Sequence, residues 1–283
     1  MTRTKSPEAP GPAPAAPAGQ GTDVTRRTLL TRLAKLGIAT TALTAGGLEL
    51  VSYRDEAHAA TKTAKGTKAK HAWCMVIDLR YCDGCESCTL ACQERHDLAK
   101  DQTWLKVYTM TDAEGGTFHM PRLCMMCEDP PCMYVCPVGA TFRNADGVVL
   151  VDQNVCIGCR ACMAACPYEA RYFNWSDPPK LSHRLPMPPT PEFPVPQVKG
   201  TVGKCVLCVD RLAHGELPGC VAGCPMGVLY VGDLVTDVAT NGLGKTVKLS
   251  QFLKDNDAVR FKEELGTNPR VYYILGHGQT LGA

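Results

Sequence analysis

Residues 156–167 read Cys156-Ile157-Gly158-Cys159-Arg160-Ala161-Cys162-Met163-Ala164-Ala165-Cys166-Pro167. The spacing is C-x2-C-x2-C-x3-C-P, and the reading of the whole chain turns on it. Three thiols two residues apart can wrap a short loop around one face of a compact inorganic centre. The residues that follow turn into a helix, which carries the fourth thiol away toward a neighbouring site. The proline after it suits a helix N-terminus or an extended exit and helps to fix that direction.

Three further quartets flank this run. Cys82, Cys85, Cys88 and Cys92 repeat its spacing. Cys124, Cys127, Cys132 and Cys136 follow C-x2-C-x4-C-x3-C, with Pro137 next. Cys205, Cys208, Cys220 and Cys224 follow C-x2-C-x11-C-x3-C, with Pro225 next. Sixteen of the 17 cysteines thus fall into ordered groups of four. Many cysteines can mean disulfides, zinc or iron–sulfur. Structural zinc sites pair two short knuckles across a longer gap, so a compact run of four is a poor tetrahedral chelate. A disulfide scheme gives no reason for a repeated triad. The 156–166 run matches the bacterial ferredoxin pattern completely, and in two-cluster ferredoxins its fourth cysteine binds the other cluster. The sixteen are therefore read as ligands of four 4Fe–4S clusters, with a zinc or disulfide-rich binding module as the alternative. Cys74, left over in the strand-like run Trp73–Asp78, reads as a buried, inert thiol.

The bulk properties agree. Hydrophobic residues make up 45% of the 283 residues but aromatics only 6%, so something other than large rings must fill the core. The net charge of +2 offers no electrostatic case for nucleic acid or a polybasic membrane patch. The surplus lies in residues 1–59, with seven Lys/Arg against five Asp/Glu.

That N-terminal segment reads as a signal region. Residues 1–24 are rich in Pro, Ala and Gly and lack the apolar content to pack. Thr25-Arg26-Arg27-Thr28-Leu29-Leu30 then places paired arginines ahead of an apolar stretch, as in a bacterial twin-arginine signal. The thirteen uncharged residues Leu36–Leu48 are too few to cross about 30 Å of hydrocarbon. Ala57-His58-Ala59 offers a small-x-small cleavage site. The expectation is an exported protein, periplasmic or on the outer face of the cytoplasmic membrane, with clusters inserted before export. Residues 60–70 read as a basic linker, and the folded part is expected over 71–283.

Within that part the expected class is α+β. Short strands are predicted at Met75–Leu79, Val148–Val151 and Val228–Val231. The quartets at 124–166 are spaced like one complete two-cluster ferredoxin unit. The outer pair, 82–92 plus 205–224, makes a second unit into which the first is inserted. Each unit is expected to have small two-stranded sheets and short helices. Residues 176–204 hold eight prolines and read as an extended surface loop. A C-terminal extension is predicted as a helix at 250–264 and a strand at Val271–Leu275.

The ordered quartets, and the phrases "MVIDLRYCDGCESCTLAC", "CMMCEDPPCMYVCPVGA", "CIGCRACMAACPYEARYF" and "ELGTNPRVYY", resemble the iron–sulfur subunits of the dimethyl sulfoxide reductase family of molybdopterin oxidoreductases. With its own twin-arginine signal, the chain is similar to the tetrathionate, polysulfide and formate-linked nitrite reductase type. The resemblance covers residues 71–283. It implies a crossed ligand scheme: Cys82, Cys85 and Cys88 with Cys224; Cys205, Cys208 and Cys220 with Cys92; Cys124, Cys127 and Cys132 with Cys166; Cys156, Cys159 and Cys162 with Cys136. It also implies two partners, a molybdopterin catalytic subunit and a multi-pass, quinone-interacting membrane subunit that holds the chain at the membrane.

No constellation for bond chemistry stands out. His96, His119 and His214 are scattered and read as structural or exposed, so the chain is expected to be a non-catalytic relay. Arg80, Arg122, Arg160 and Lys204, near the cluster loops, read first as solvated charges, with stabilisation of a reduced cluster as the alternative. A free-standing exported polyferredoxin is the competing function. The terminal substrate and direction of electron flow belong to the partner's chemistry and are not written in this sequence.

Overall fold

The run Cys74-Met75-Val76-Ile77 has no polar alternation, which calls for a strand covered on both faces. In the computed structural model, which describes residues 70–178 and 189–281, this run forms the centre of a six-stranded sheet. All the described residues belong to one unit, residues 60–283. The expected signal region, almost all of the linker (60–69), and residues 179–188 of the proline-rich loop lie outside the described residues.

The strands are β1 (Trp73–Asp78), β2 (Lys106–Thr111), β3 (Thr117–Arg122), β4 (Thr141–Arg143), β5 (Val149–Val151) and β6 (Tyr172–Phe173). They continue with β7 (Val202–Gly203), β8 (Leu229–Asp233), β9 (Val238–Asn241), β10 (Thr246–Lys248), β11 (Val259–Arg260) and β12 (Val271–Ile274). The helices are α1 (Ser87–His96), α2 (Pro131–Tyr134), α3 (Ala161–Ala164), α4 (Val209–Leu212), α5 (Gly219–Ala222) and α6 (Leu249–Asp255).

The large sheet runs β10-β9-β8-β1-β12-β11. β1 pairs antiparallel with β8, Ile77 opposite Leu229, and parallel with β12, Met75 opposite Val271. Three two-stranded sheets, β2-β3, β4-β5 and β6-β7, complete the architecture. The outer unit is therefore not built on a two-stranded sheet as expected. A two-stranded ribbon is marginal alone, and β1, apolar on both faces, gains cover by pairing with the C-terminal β12.

Alternation along β1 divides the core. Met75 and Ile77, with Leu229, Val231, Val271 and Tyr273, face the thiol-rich core that includes Cys88, Cys92, Cys124, Cys205 and Cys220. Cys74 and Val76, with Tyr230 and Ile274, face the opposite side, toward Leu249 and Phe252 of α6. Cys74 is fully buried there, and burial pushes its thiol up to about 12. Strand direction is thus the reason it stands apart from the quartets. Cysteines do take up core volume, as the scarcity of aromatics implies.

The C-terminal helix is shorter than expected. α6 ends at Asp255; Asp257 adopts positive φ (45°), which breaks the helical path before the short β11, and Lys262 (53°) turns the chain again after it. The proline-rich stretch also departs from a surface loop at its C-terminal end. Val195, Gln197, Thr201, Val202 and Lys204 are buried. Gln153 Nε2 donates to Gln197 Oε1 at 2.7 Å, and Asn174 Nδ2 donates to the Val198 carbonyl at 3.2 Å. These side-chain amides satisfy a segment whose prolines supply few backbone donors.

At the end of β8, Asp233 holds the start of the folded chain. Its Oδ1 accepts from the Ala72 N–H at 2.8 Å and the Val235 N–H at 3.0 Å. Oδ2 accepts from Thr236 Oγ1 at 3.1 Å and lies 2.9 Å from His71 Nδ1. Burial alone would raise this carboxyl, but the hydrogen bonds from Ala72, His71, Val235 and Thr236 outweigh it and hold the group below the usual carboxylate range. Asp233→Ala is expected to cost about 2 kcal/mol in denaturant unfolding, because it strands buried donors. A depressed folded pKa contributes stability above the unfolded value of about 3.9 and loses it as pH falls through the folded value. The gap between wild type and variant should therefore be full near neutrality and shrink below about pH 4. A gap that does not change with pH would contradict this role.

Candidate metal centres

Each quartet is held by a loop that turns sharply before a helix. In the first, Gly84 and Glu86 have positive φ (75° and 59°) on either side of Cys85. In the third, Gly158 and Arg160 (68° and 61°) repeat this around Cys159. In the fourth, the consecutive residues Leu207 and Cys208 have positive φ (56° and 47°). Alternating handedness turns successive backbone N–H groups inward, the nest geometry that receives anionic centres, including iron–sulfur sites. Leu207 N–H, for example, donates to Cys205 Sγ at 3.4 Å. Non-glycine residues in this conformation cost energy, so their recurrence beside the cysteines marks where the fold is shaped by what it binds.

All seventeen cysteines are free thiols. Their electrostatics show which approach one another. Burial pushes Cys88 up to about 12 and raises Cys82, and the neighbouring Cys224 thiol adds to both. Cys92 is driven well up by burial, then by Cys205 and Cys208. Cys220 is driven well up by burial and by Cys208, Cys205 and Cys92. Burial and then Cys124 raise Cys127, to about 12, and Cys166; Cys132 adds to both. Cys162 is raised by burial, pulled down by Arg171, and raised again by Cys132 and Cys156. Thiols distant in sequence are thus brought together: Cys224 with the 82/85/88 triad, Cys92 with 205/208/220, and Cys166 with 124/127/132. Nothing of this kind ties Cys136 or Cys159 to a partner; they are half-buried and exposed respectively.

Neighbouring groups also act on one another electrostatically, and they do so in series. Cys88 adds to the shift of Cys92 and Cys220, Cys124 to that of Cys205, and Cys132 to that of Cys162. The two exposed thiols, Cys85 and Cys159, belong to the two groups at the ends of this series. α1 makes one of the links. It carries Cys88 and Cys92 one turn apart and packs on α5, where a Cβ on Gly223 would lie 2.6 Å from Ala91 Cβ.

The donor set fits iron–sulfur clusters. Thiolates this crowded and this buried repel one another and stay protonated until a cationic centre compensates them, and metal binding releases those protons. Among the described residues no three His, Cys, Asp or Glu side chains gather tightly enough for a single metal ion. The cavity bounded by Cys124, Cys127, Cys132 and Cys166 is otherwise lined mainly by apolar side chains.

The charged residues singled out from sequence divide. Arg80 pairs bidentately with the buried Asp78. Arg122 lies over the Tyr108 ring at 4.0 Å, and Arg160 lies over Phe173 and Trp175 at 5.2 and 5.0 Å. Lys204 is not a solvated charge: it is 1% exposed, and its Nζ donates to the Cys205 carbonyl at 2.6 Å. His96 is equally buried, with Nε2 3.4 Å from Cys208 Sγ and its ring on Trp104. His119 instead lies against Gly84 of the first cysteine loop, and the exposed His214 has Nδ1 2.7 Å from the Asp210 carbonyl oxygen. Arg171 is a residue that sequence reasoning missed. It is 6% exposed and faces Cys132 and Cys162. Its only signal was an arginine five residues beyond Cys166.

Fold and site together define a ferredoxin-type iron–sulfur protein with several thiol groups in series. A family model described as a 4Fe-4S dicluster domain matches residues 116–180, and a second of the same description matches residues 155–228. Two dicluster domains correspond to four 4Fe–4S clusters. The protein is 38% identical over 220 residues to a subunit of the selenate reductase of Mesobacillus selenatarsenatis, covering 71% of each sequence. It is 35% identical over 212 residues to a subunit of the tetrathionate reductase of Salmonella typhimurium, covering 72% of this sequence and 73% of that one. It is 35% identical over 169 residues to a subunit of the anaerobic dimethyl sulfoxide reductase of Escherichia coli, covering 56% and 72%. This protein belongs to the electron-transfer iron–sulfur subunits of the dimethyl sulfoxide reductase family of molybdopterin oxidoreductases.

Proposed function

We propose that this chain carries electrons between a quinone-reactive membrane subunit and a molybdopterin catalytic subunit, with four crossed sets of cysteines as the path. The sets are Cys82, Cys85, Cys88 and Cys224; Cys205, Cys208, Cys220 and Cys92; Cys124, Cys127, Cys132 and Cys166; and Cys156, Cys159, Cys162 and Cys136. They place one ferredoxin unit, 124–166, inside another, 82–92 plus 205–224. The observation that carries this reading is the serial electrostatic proximity of the thiol groups, with an exposed thiol in each terminal group. When bound, each cluster takes up and releases one electron at a potential tuned by charge, hydrogen bonds and exposure. The protein's part is to hold the sulfurs, exclude water from the inner groups, and leave the two ends open to partners.

The chain is read as non-catalytic, the bond chemistry being the partner's. Among the described residues no helix is long and apolar enough to cross a membrane, in keeping with attachment through a membrane partner. The arginine pair Arg26-Arg27 and the Ala57-His58-Ala59 site support export through the twin-arginine route, with cleavage after Ala59.

Anaerobic purification after gentle detergent extraction tests the proposal. Iron and acid-labile sulfide are expected in equal amounts, in a particle that also contains a molybdopterin protein and a membrane protein. Zinc without sulfide would point to a binding module instead. A small particle of this protein alone would point to a free polyferredoxin.

A further inference from the structure

Arg171 is an expensive residue to bury. Guanidinium is charged at any pH a protein meets, and an unpaired ion in the interior costs several kcal/mol. No described carboxylate pairs with it. Nη1 donates to Thr141 Oγ1 at 3.1 Å, which ties the side chain to β4. Nη2 meets no acceptor of hydrogen-bond geometry. The residue lines the same cavity as Cys124, Cys127, Cys132 and Cys166. The guanidinium also acts, by charge and by hydrogen bonding, on Cys162 of the next thiol group. Among the described residues, the groups that act most strongly on its charge are the sulfurs of two neighbouring thiol groups.

We propose that Arg171 is a shared potential-setting residue, which raises the midpoint of the cluster on Cys124, Cys127, Cys132 and Cys166 and of the cluster on Cys156, Cys159, Cys162 and Cys136. The inference rests on the ligand sets given above. A reduced cluster carries one more negative charge than an oxidised one. A fixed cation in a low-dielectric site stabilises that extra charge more than water would. Arginine suits the task better than lysine, because its planar fork can face two sulfurs at once and does not lose its proton. Both clusters gain from the one cation, so the electron is held at their junction, on the side of the series that ends in the exposed Cys159.

The test is an anaerobic redox titration of the holoprotein followed by electron paramagnetic resonance, with iron and sulfide measured on the same samples. In Arg171→Gln the reduced-to-oxidised ratio of these two clusters at a fixed potential is expected to fall about tenfold, equivalent to about 59 mV for a one-electron couple. The two clusters of the outer unit should be unchanged. Arg171→Lys should retain most of the effect. Full cluster content with all four midpoints at wild-type values in Arg171→Gln would overturn the proposal and leave Arg171 a purely structural tie. Should that variant fail to retain both clusters, Arg171→Met decides, since it removes the charge but keeps a long, flexible side chain. The same two midpoints then fall, or the proposal is wrong. A wild-type protein lacking iron and sulfide would instead remove the ligand sets themselves, whatever Arg171 does.

Discussion

Replacing Cys92 by serine is expected to abolish the cluster built on Cys205, Cys208 and Cys220 while sparing the one built on Cys82, Cys85 and Cys88. Cys92 stands in the same sequence run as Cys82, Cys85 and Cys88. It shares α1 with Cys88, four residues away, so the two point from the same face of one helix. Their surroundings differ nonetheless. Cys88 lies against Cys224 and Cys82, whereas Cys92 lies against Cys205 and Cys208. One helical turn, about 5.4 Å, is enough to move a thiol from one centre to the next. A serine hydroxyl does not become the anionic, soft ligand that iron requires. The variant also loses a covalent tie between residues more than a hundred positions apart, for which a cross-link of comparable span suggests about 2–5 kcal/mol. Two reference variants identify the missing centre. The resonance spectrum of Cys92→Ser should match that of Cys208→Ser and differ from that of Cys85→Ser. A match to Cys85→Ser would mean that the helix does not cross between units.

Gly158→Ala is expected to have the largest effect of any single methyl group in the cluster loops. Gly158 sits at φ +68°, where an L side chain costs about 1–2 kcal/mol. Its missing Cβ would also lie 2.1 Å from the Gly200 carbonyl oxygen and 3.2 Å from the Phe173 ring. The backbone of the proline-rich stretch therefore crosses directly over the loop that holds Cys156 and Cys159. Relieving the contact means moving one of the two segments, for a total of about 3 kcal/mol or more. Gly139 is the control: φ is +65° and nothing lies within 4 Å, so alanine there meets only the conformational cost. Thermal unfolding and the rate of iron loss to a chelator measure both variants. Equal behaviour of Gly158→Ala and Gly139→Ala would remove the packing of residue 200 on the third quartet.

Much of the site was legible because cluster ligation is local chemistry. A triad two residues apart must form a tight loop, and the positive φ values at Gly84 and Gly158 sit inside those triads. The strands at 75–79, 148–151 and 228–231 were legible as short apolar runs. The hairpin of β2 and β3 went unread, although Lys106–Thr111 and Thr117–Arg122 flank a Gly115-Gly116 turn. The buried cations were harder still. Lys204 and Arg171 look like ordinary surface charges in a linear sequence, because what buries them is supplied by other segments.

Composition and spacing by themselves determined the chemistry: sixteen thiols in four groups, few aromatic rings, and no other set of reactive side chains. They determined it because three of the four triads lie within nine residues, where chain geometry leaves little choice. Tertiary structure added that Cys224, Cys92 and Cys166 lie near thiols of runs other than their own, and in what order the groups follow one another. It also decided that β12 returns to close the sheet on β1 and which arginine faces thiols of two groups. These depend on contacts between residues up to about two hundred positions apart. Such contacts form only when the core, and not the local sequence, brings the segments together.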